Sequence, residues 1–220
     1  MAKGLDGVLV GRSQISWVGG ETGDLVYRGF DVRDLVPGVP FESVAHLLLF
    51  GDPPDRDPSP EVTRGLLGAR SPPAGLLASA DAIPATTPPL EALRSLFSLQ
   101  GDGSAGYPPK LEEGYRLIAR APLLLARHAR RGNGEAPVAP RDDLSHVANY
   151  LWMLRGEAPS PRSVGALEAY FDLLADHGMN ASTFALRVAI STQSDLVSAA
   201  TAALATLKGP LHGGAPSRVG

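Results

Sequence analysis

A mostly α fold with a small N-terminal β-hairpin is what this sequence predicts, and three observations carry the prediction. β-formers crowd into residues 8–28 and nowhere else. From residue 31 onward, apolar residues recur at helical spacing. Capping residues, glycines and many of the 20 prolines punctuate those helical stretches. A chain of 220 residues suits one domain, or one and a half, with a core that needs no covalent staples. The expected division is a hairpin segment over 1–30 and a helical body over 31–220.

The elements follow in order. Val8, Val10, Ile15 and Trp17 form one half of the hairpin, and Leu25, Val26 and Tyr27 the other. Gly19-Gly20 and Gly23-Asp24 supply turn residues between them. Two strands alone are marginal, so the hairpin should lean on something larger. Asp31 is placed to cap a short helix over 32–36, which Pro37-Gly38 ends. Phe41, Val44, Ala45, Leu48 and Leu49 predict a helix that Gly51 and Pro53-Pro54 stop. The proline-rich stretch 51–90 predicts short helices joined by turns, and Leu90, Leu93, Leu96 and Phe97 predict a helix over 90–99. Residues 100–109 read as an exposed loop. A long helix over about 110–131 should kink at Pro122, which lacks a backbone donor. Asp142 and Asp143 are expected to cap a helix over 144–155, with Gly156 just beyond. Ser160-Pro161 starts another, running to about Asp176. Two alanine-rich helices, near 181–191 and 194–207, end the pattern. Leu196, Ala200, Ala203, Leu204 and Leu207 make one apolar stripe on the second. Small residues let helix axes approach closely, so both helices are expected to be buried, in the chain or between subunits.

Composition narrows the function. Charged residues at 20% and hydrophobic residues at 44% exclude a disordered tail. With 20 basic and 23 acidic residues the net charge is -3, and no dense basic run argues for nucleic acid. The absence of cysteine excludes disulfides, thiolate metal sites and cysteine nucleophiles. Met1-Ala2-Lys3 leads to Gly4 and Asp6, unlike a signal peptide, and no stretch of about 20 apolar residues is present. The expectation is a cytoplasmic protein with no membrane segment. Arg116, Arg120, Arg127, Arg130 and Arg131 on the long helix read as a solvated face, with an anion site as the alternative.

Two histidine motifs stand out. In Asp176-His177-Gly178-Met179-Asn180-Ala181-Ser182-Thr183, one helix ends at a glycine and polar side chains gather where the next begins. Such a cluster binds an anion or a carbonyl oxygen, or else it simply caps the helix. In Lys208-Gly209-Pro210-Leu211-His212-Gly213-Gly214-Ala215-Pro216, glycines on both sides of one histidine let the backbone approach a ligand; an ordinary helix end is the other reading. No G-x-x-x-x-G-K-[ST] loop and no G-x-S-x-G elbow is present. His46, His128 and His146 read as structural or solvated. His177 and His212 alone do not make a metal site, which needs three or more ligands.

Together the two motifs resemble the citrate synthase family, which includes 2-methylcitrate synthases. Gly4 to Val8, Ile15-Ser16 and Gly23 to Asp31 look like its N-terminal signature, and Phe41 to Gly51 like the helix that follows. Asp176 to Phe184 and Leu207 to Ala215 are similar to its most specific motifs in this half. The resemblance implies a citrate synthase-like multi-helical fold, large-domain portion, incomplete at the C-terminus and lacking the small domain. It implies a homodimer, and the small-residue 181–207 helices are the expected interface. It further implies an acyltransferase of the tricarboxylic acid cycle that condenses acetyl-CoA, or a short acyl-CoA, with oxaloacetate, using no cofactor beyond the CoA thioester. His212 matches the catalytic histidine that stabilises the enolate oxygen. Ser182 matches the serine that orients it, His177 the histidine that holds the oxo acid, and Asn180 stands beside it.

The sequence departs from the family in one large respect. It stops eight residues past His212. The family's base, an aspartate, and its second histidine lie further downstream, as do most carboxylate-clamping arginines and CoA contacts. Pro216 and Ser217 also replace the acidic or amide residues usual there. Asp176 and Asp195 are poor substitutes for the base: helix neighbours point about 100° apart, so Asp176 and His177 do not easily face one ligand, and Asp195 starts a helix. The expectation is therefore a chain holding part of an active site, close to inactive unless a C-terminal complement joins it. The alternative is a non-catalytic dimerising or regulatory subunit.

Overall fold

The computed structural model describes residues 10–101 and 106–213. Val8, the Gly4–Val8 signature, part of the 100–109 loop, and Gly214 to Ser217 lie outside the described residues.

The N-terminal β region is a three-stranded antiparallel meander, one strand more than the expected hairpin. Strands β1 (Ser16–Gly19), β2 (Asp24–Tyr27) and β3 (Phe30–Asp31) pair in that order. Trp17 faces Val26, and Tyr27 faces Phe30. The extra strand comes from a tight reversal at Arg28-Gly29, both at positive φ, which turns the chain straight back onto β2. Val10 and Ile15 lie before β1 and are exposed. Asp31 then caps α1 (Val32–Leu35), its side chain accepting from the Arg33 N–H. Val32, Leu35, Val44 and Leu47 close over Tyr27, so the small sheet leans on α1 and α2 (Phe41–Phe50).

The helical body begins with α2, which ends at Gly51 in the left-handed conformation, as its sequence predicts. The proline-rich stretch holds α3 (Pro60–Ala69) and α4 (Ala74–Ala82), and α5 (Pro89–Ser98) follows. The central element is α6 (Leu111–Gly132), continuous through Pro122. Leu96, Leu123, Leu124 and Met153 are core residues around it. On its other flank Tyr115 packs against α3 so tightly that a Cβ at Gly65 would fall 2.3 Å from the ring. A methyl group there overpacks the interface. Gly65→Ala is expected to destabilise by about 1–3 kcal/mol in urea melts, although alanine is the better helix former. An increase in stability would refute the contact.

The arginines of α6 are not a solvated face; they serve as staples. Arg120 donates to the Ala69 carbonyl at the end of α3. Arg131 donates to the Ala80 and Ile83 carbonyls at the end of α4, at 2.9 and 3.0 Å. Arg130 reaches the Leu154 carbonyl in the last turn of α7 (His146–Arg155). Each satisfies carbonyls that a helix end leaves without intrahelical partners. Arg127 makes a two-pronged pair with Asp81 at 2.8 and 2.6 Å, and Arg116 lies 3.7 Å from Glu113. Helical spacing reveals the arginine row, but not that three helices end beneath it.

Helix α7 starts two residues later than predicted, because Ser145 caps it while Asp143 pairs with Arg141. Its end at Gly156 is as predicted. Helix α8 (Pro161–Leu174) is capped by Ser160. Helices α9 (Ala181–Ser191) and α10 (Leu196–Leu207) are capped by Asn180 and Asp195. The expected burial of this pair is not found within the chain. No side chain of α9 is buried, and on α10 only Val197 and Ala199 are. Helix α10 packs on α5 and α6, whereas α9 packs on α10. No helix among the described residues is long and apolar enough to cross a membrane.

Candidate active site

The site is assembled from the two turns that bracket the α9–α10 pair. The first joins α8 to α9. Gly178 reverses the chain there in the left-handed conformation, and Asn180 begins α9. The Asn180 side-chain oxygen accepts from the Thr183 N–H at 2.9 Å, so the capping role is real. The second turn follows α10. The Gly213 N–H donates to the Leu207 carbonyl at 2.9 Å. A Cβ on Gly213 would lie 2.5 Å from that same oxygen. The glycine thus closes the helix end, and the room it gives is used by this chain's own backbone. Lys208 pairs with Glu91 on α5 at 2.6 Å, which fixes the base of the turn.

These turns bring all four predicted site residues into one row. Ser182 Oγ lies 2.9 Å from His212 Nε2, across 30 positions of sequence. The Ser182 hydroxyl also lies 2.7 Å from Asn180 Oδ1. Asn180 Nδ2 lies 3.4 Å from His177 Nδ1. His177 is exposed, and Asn180, Ser182 and His212 are half-buried. The row therefore presents two imidazoles at an accessible face, joined by a hydroxyl and an amide. Such a set donates and accepts hydrogen bonds around a carbonyl or carboxylate.

The two aspartates considered as bases are occupied elsewhere. Asp176 accepts from the Ser16 hydroxyl and from the Gly178 N–H at 2.8 Å. Asp195 caps α10 by accepting from Ser198, which holds its carboxyl below the usual range. The remaining histidines are structural. His46 bridges Ser59 and Asp52. His128 donates to the Thr87 carbonyl at 2.7 Å. His146 is buried and stacked on Phe41, and burial, then Arg70, pushes its pKa down to about 4. Among the described residues no group of three or more His, Cys, Asp or Glu side chains is placed to hold a metal.

Two features escape a reading of the sequence. The turn carrying His177 is moored to the N-terminal sheet: the buried Tyr27 hydroxyl donates to the Asp172 carbonyl at 2.8 Å and accepts from the Asp176 N–H at 3.2 Å. A cleft of about 620 Å³ also opens at this turn, lined by Arg12, Arg28, Asp176, Thr183 and Arg187 among others. Thr183 and Arg187, four apart on α9, share the face that looks into it. Both features join segments some 150 residues apart, a distance that local pattern does not bridge.

Comparison with known proteins gives one answer. A family profile described as "Citrate synthase, C-terminal domain" matches residues 4–220. The chain is 39% identical over 228 residues to a citrate synthase of Haloferax volcanii, covering all of this chain and 60% of that one. It is 38% identical over 223 residues to a 2-methylcitrate synthase of Mycobacterium tuberculosis, covering 99% of this chain and 56% of that one. The crystal structure of citrate synthase from Thermotoga maritima superposes with a TM-score of 0.87 at 37% identity, covering 99% of this chain and 58% of that one. The chain spans a little under 60% of the length of such relatives. The row from His177 to His212, the helical fold and these matches agree: the chain belongs to the citrate synthase family.

Proposed function

We propose that the chain forms part of a citrate synthase-type active site, which condenses acetyl-CoA or a short acyl-CoA with oxaloacetate. The products are citrate or 2-methylcitrate, and CoA. The observation that carries this reading is the 2.9 Å contact between Ser182 Oγ and His212 Nε2, which joins the two motifs through a hydrogen bond rather than mere proximity.

In this reading the obstacle is the very weak acidity of the thioester methyl group. A carboxylate removes the proton, and His212 stabilises the enolate oxygen that develops. With Nε2 committed to Ser182, the ring nitrogen left for that oxygen is Nδ1. His177 and Asn180 hold the oxo acid. The enolate carbon then attacks the oxo carbon, the oxo oxygen becomes a hydroxyl, and water cleaves the thioester to release CoA. The reaction draws on no cofactor beyond the CoA thioester. The base, a second histidine and most carboxylate clamps are assigned to a further segment, such as the part of its relatives' length that this chain does not span.

A second copy of the chain, meeting it through the 181–207 helices, is the proposed cover for α9. The exposed Val188 on α9, Tyr170, Leu173 and Leu174 on α8, and Leu211, 99% exposed beside His212, support a partner there. A complementary C-terminal chain is the other candidate. The water-soluble substrates fit a cytoplasmic location.

The test is a CoA-release assay with oxaloacetate and acetyl-CoA, on this chain alone and with the corresponding C-terminal segment of a relative added. The expected result is near silence alone and turnover on addition. If the mixture stays silent where a full-length relative turns over, the proposal fails. A non-catalytic subunit instead predicts that His212→Ala changes nothing in the assembled protein.

A further inference from the structure

The hydrogen bonds linking His177 to His212 have a direction, and one side chain fixes it. Asn180 Oδ1 sits 2.9 Å from the Thr183 backbone nitrogen. A backbone N–H only donates, so that amide atom is the oxygen and its twin is the NH₂ group. The same Oδ1 lies 2.7 Å from Ser182 Oγ. An amide oxygen only accepts, so the single hydroxyl proton of Ser182 points at Asn180. Ser182 then has only lone pairs left for His212 Nε2, 2.9 Å away, and that nitrogen must carry the proton. At the other end the Asn180 NH₂ group donates toward His177 Nδ1 at 3.4 Å, so Nδ1 accepts and the His177 proton is on Nε2. We infer that Asn180 is a positioning residue that sets the tautomers of both site histidines, holding each protonated on Nε2 at rest.

The consequence for catalysis rests on the condensation reading above. His177 in this form offers an Nε2–H donor, suited to an oxygen of the oxo acid. His212 offers a bare Nδ1, which accepts and so gives nothing to an enolate oxygen. To donate from Nδ1, the imidazole loses its Nε2 proton to water and gains one at Nδ1, with no net change in charge. Ser182 simultaneously turns its hydroxyl from Asn180 to Nε2, and the two oxygens, no longer sharing a proton, draw apart while Asn180 Oδ1 keeps the Thr183 N–H. A thioester carbonyl oxygen arriving at Nδ1 only accepts, and that supplies the bias toward the switched form. His212 becomes a donor when the acyl substrate is present, and rests otherwise.

The experiment is long-range ¹H–¹⁵N correlation of the imidazole rings in the whole chain, ¹⁵N-labelled at histidine, at a pH where the rings are neutral. Signals are assigned by their loss in His177→Gln and His212→Gln. Both rings are expected in the Nε2–H pattern; an Nδ1–H pattern for resting His212 overturns the inference. Asn180→Asp keeps an oxygen for Thr183 and Ser182, hence the cap, but removes the NH₂ group. It is expected to leave His212 on Nε2–H and to put a proton on His177 Nδ1; an unmoved His177 overturns the inference. These patterns do not depend on turnover. Expected tautomers beside a silent CoA-release assay refute the functional reading alone, whereas turnover with His212 already Nδ1–H at rest refutes this inference alone.

Discussion

Replacing His212 with alanine is expected to slow CoA release in the reconstituted assembly by about 10²–10³-fold, the usual effect of deleting one donor to a developing oxyanion. The loss should fall on kcat. His177 and Asn180, which hold the oxo acid in this reading, lie across the Ser182 bridge and keep their own hydrogen bonds. Ser182→Ala leaves the imidazole in place and removes one neutral hydrogen bond of about 1 kcal/mol, so a loss of roughly tenfold or less is expected. His177→Ala should instead raise KM for oxaloacetate. Neither His177, which is exposed, nor His212, on a turn beyond the last helix, belongs to the apolar core, so melting temperatures should hold. A His212→Ala assembly within threefold of the parent would remove His212 from the mechanism.

The parts of this site that follow from short-range chemistry were legible in the sequence. Asp31 and Asp195 read as helix starts, and Gly51 and Gly156 as helix ends, because a cap is decided within four residues. The pairing of Ser182 with His212 was legible only through the resemblance, since spacing alone does not bring residues 182 and 212 together. Where several local solutions compete, the sequence misleads. Asp142 and Asp143 are good caps, yet Ser145 wins, because Arg141 takes Asp143 and the buried Glu42 accepts the His146 N–H at 2.7 Å. The glycines around His212 suggest room for a ligand, and at Gly213 the room goes to the Leu207 carbonyl. The α9–α10 pair reads as buried because small residues and periodicity report that a face wants cover, not which chain supplies it.

The buried groups Asp172 and His146 make the second large prediction, one of stability against pH. Asp172 is 2% exposed and its Oδ1 has no hydrogen-bond partner among the described residues. Burial, then repulsion from Glu168 and Glu42, pushes its carboxyl up to about 7. The folded chain thus holds a proton that the unfolded chain releases near 3.8. The contribution of Asp172 is full below that value and is lost as pH climbs to about 7. Glu168, also raised by burial and by Glu42, acts in the same sense. His146 acts in the opposite one: held down to about 4, it contributes fully above 6.5 and loses that contribution as pH falls. Asp172 and His146 each have a slope of about 1.4 kcal/mol per pH unit inside their windows. Between pH 4 and 6.5 the slopes of Asp172 and His146 oppose, and each hides the other. Asp31, pulled to about 2 by Arg33, titrates below that range. Asp172→Asn keeps the side-chain shape and removes one slope. Its stability in urea melts is expected to rise by about 3 kcal/mol between pH 4 and 6.5 and to stop falling between 6.5 and 7.5. His146→Phe, which keeps a ring against Phe41, should unmask the reverse, a decline from pH 4 to 7. If both variants follow the parent's profile, neither group is titrating in the core, and the proton assigned to Asp172 is not there.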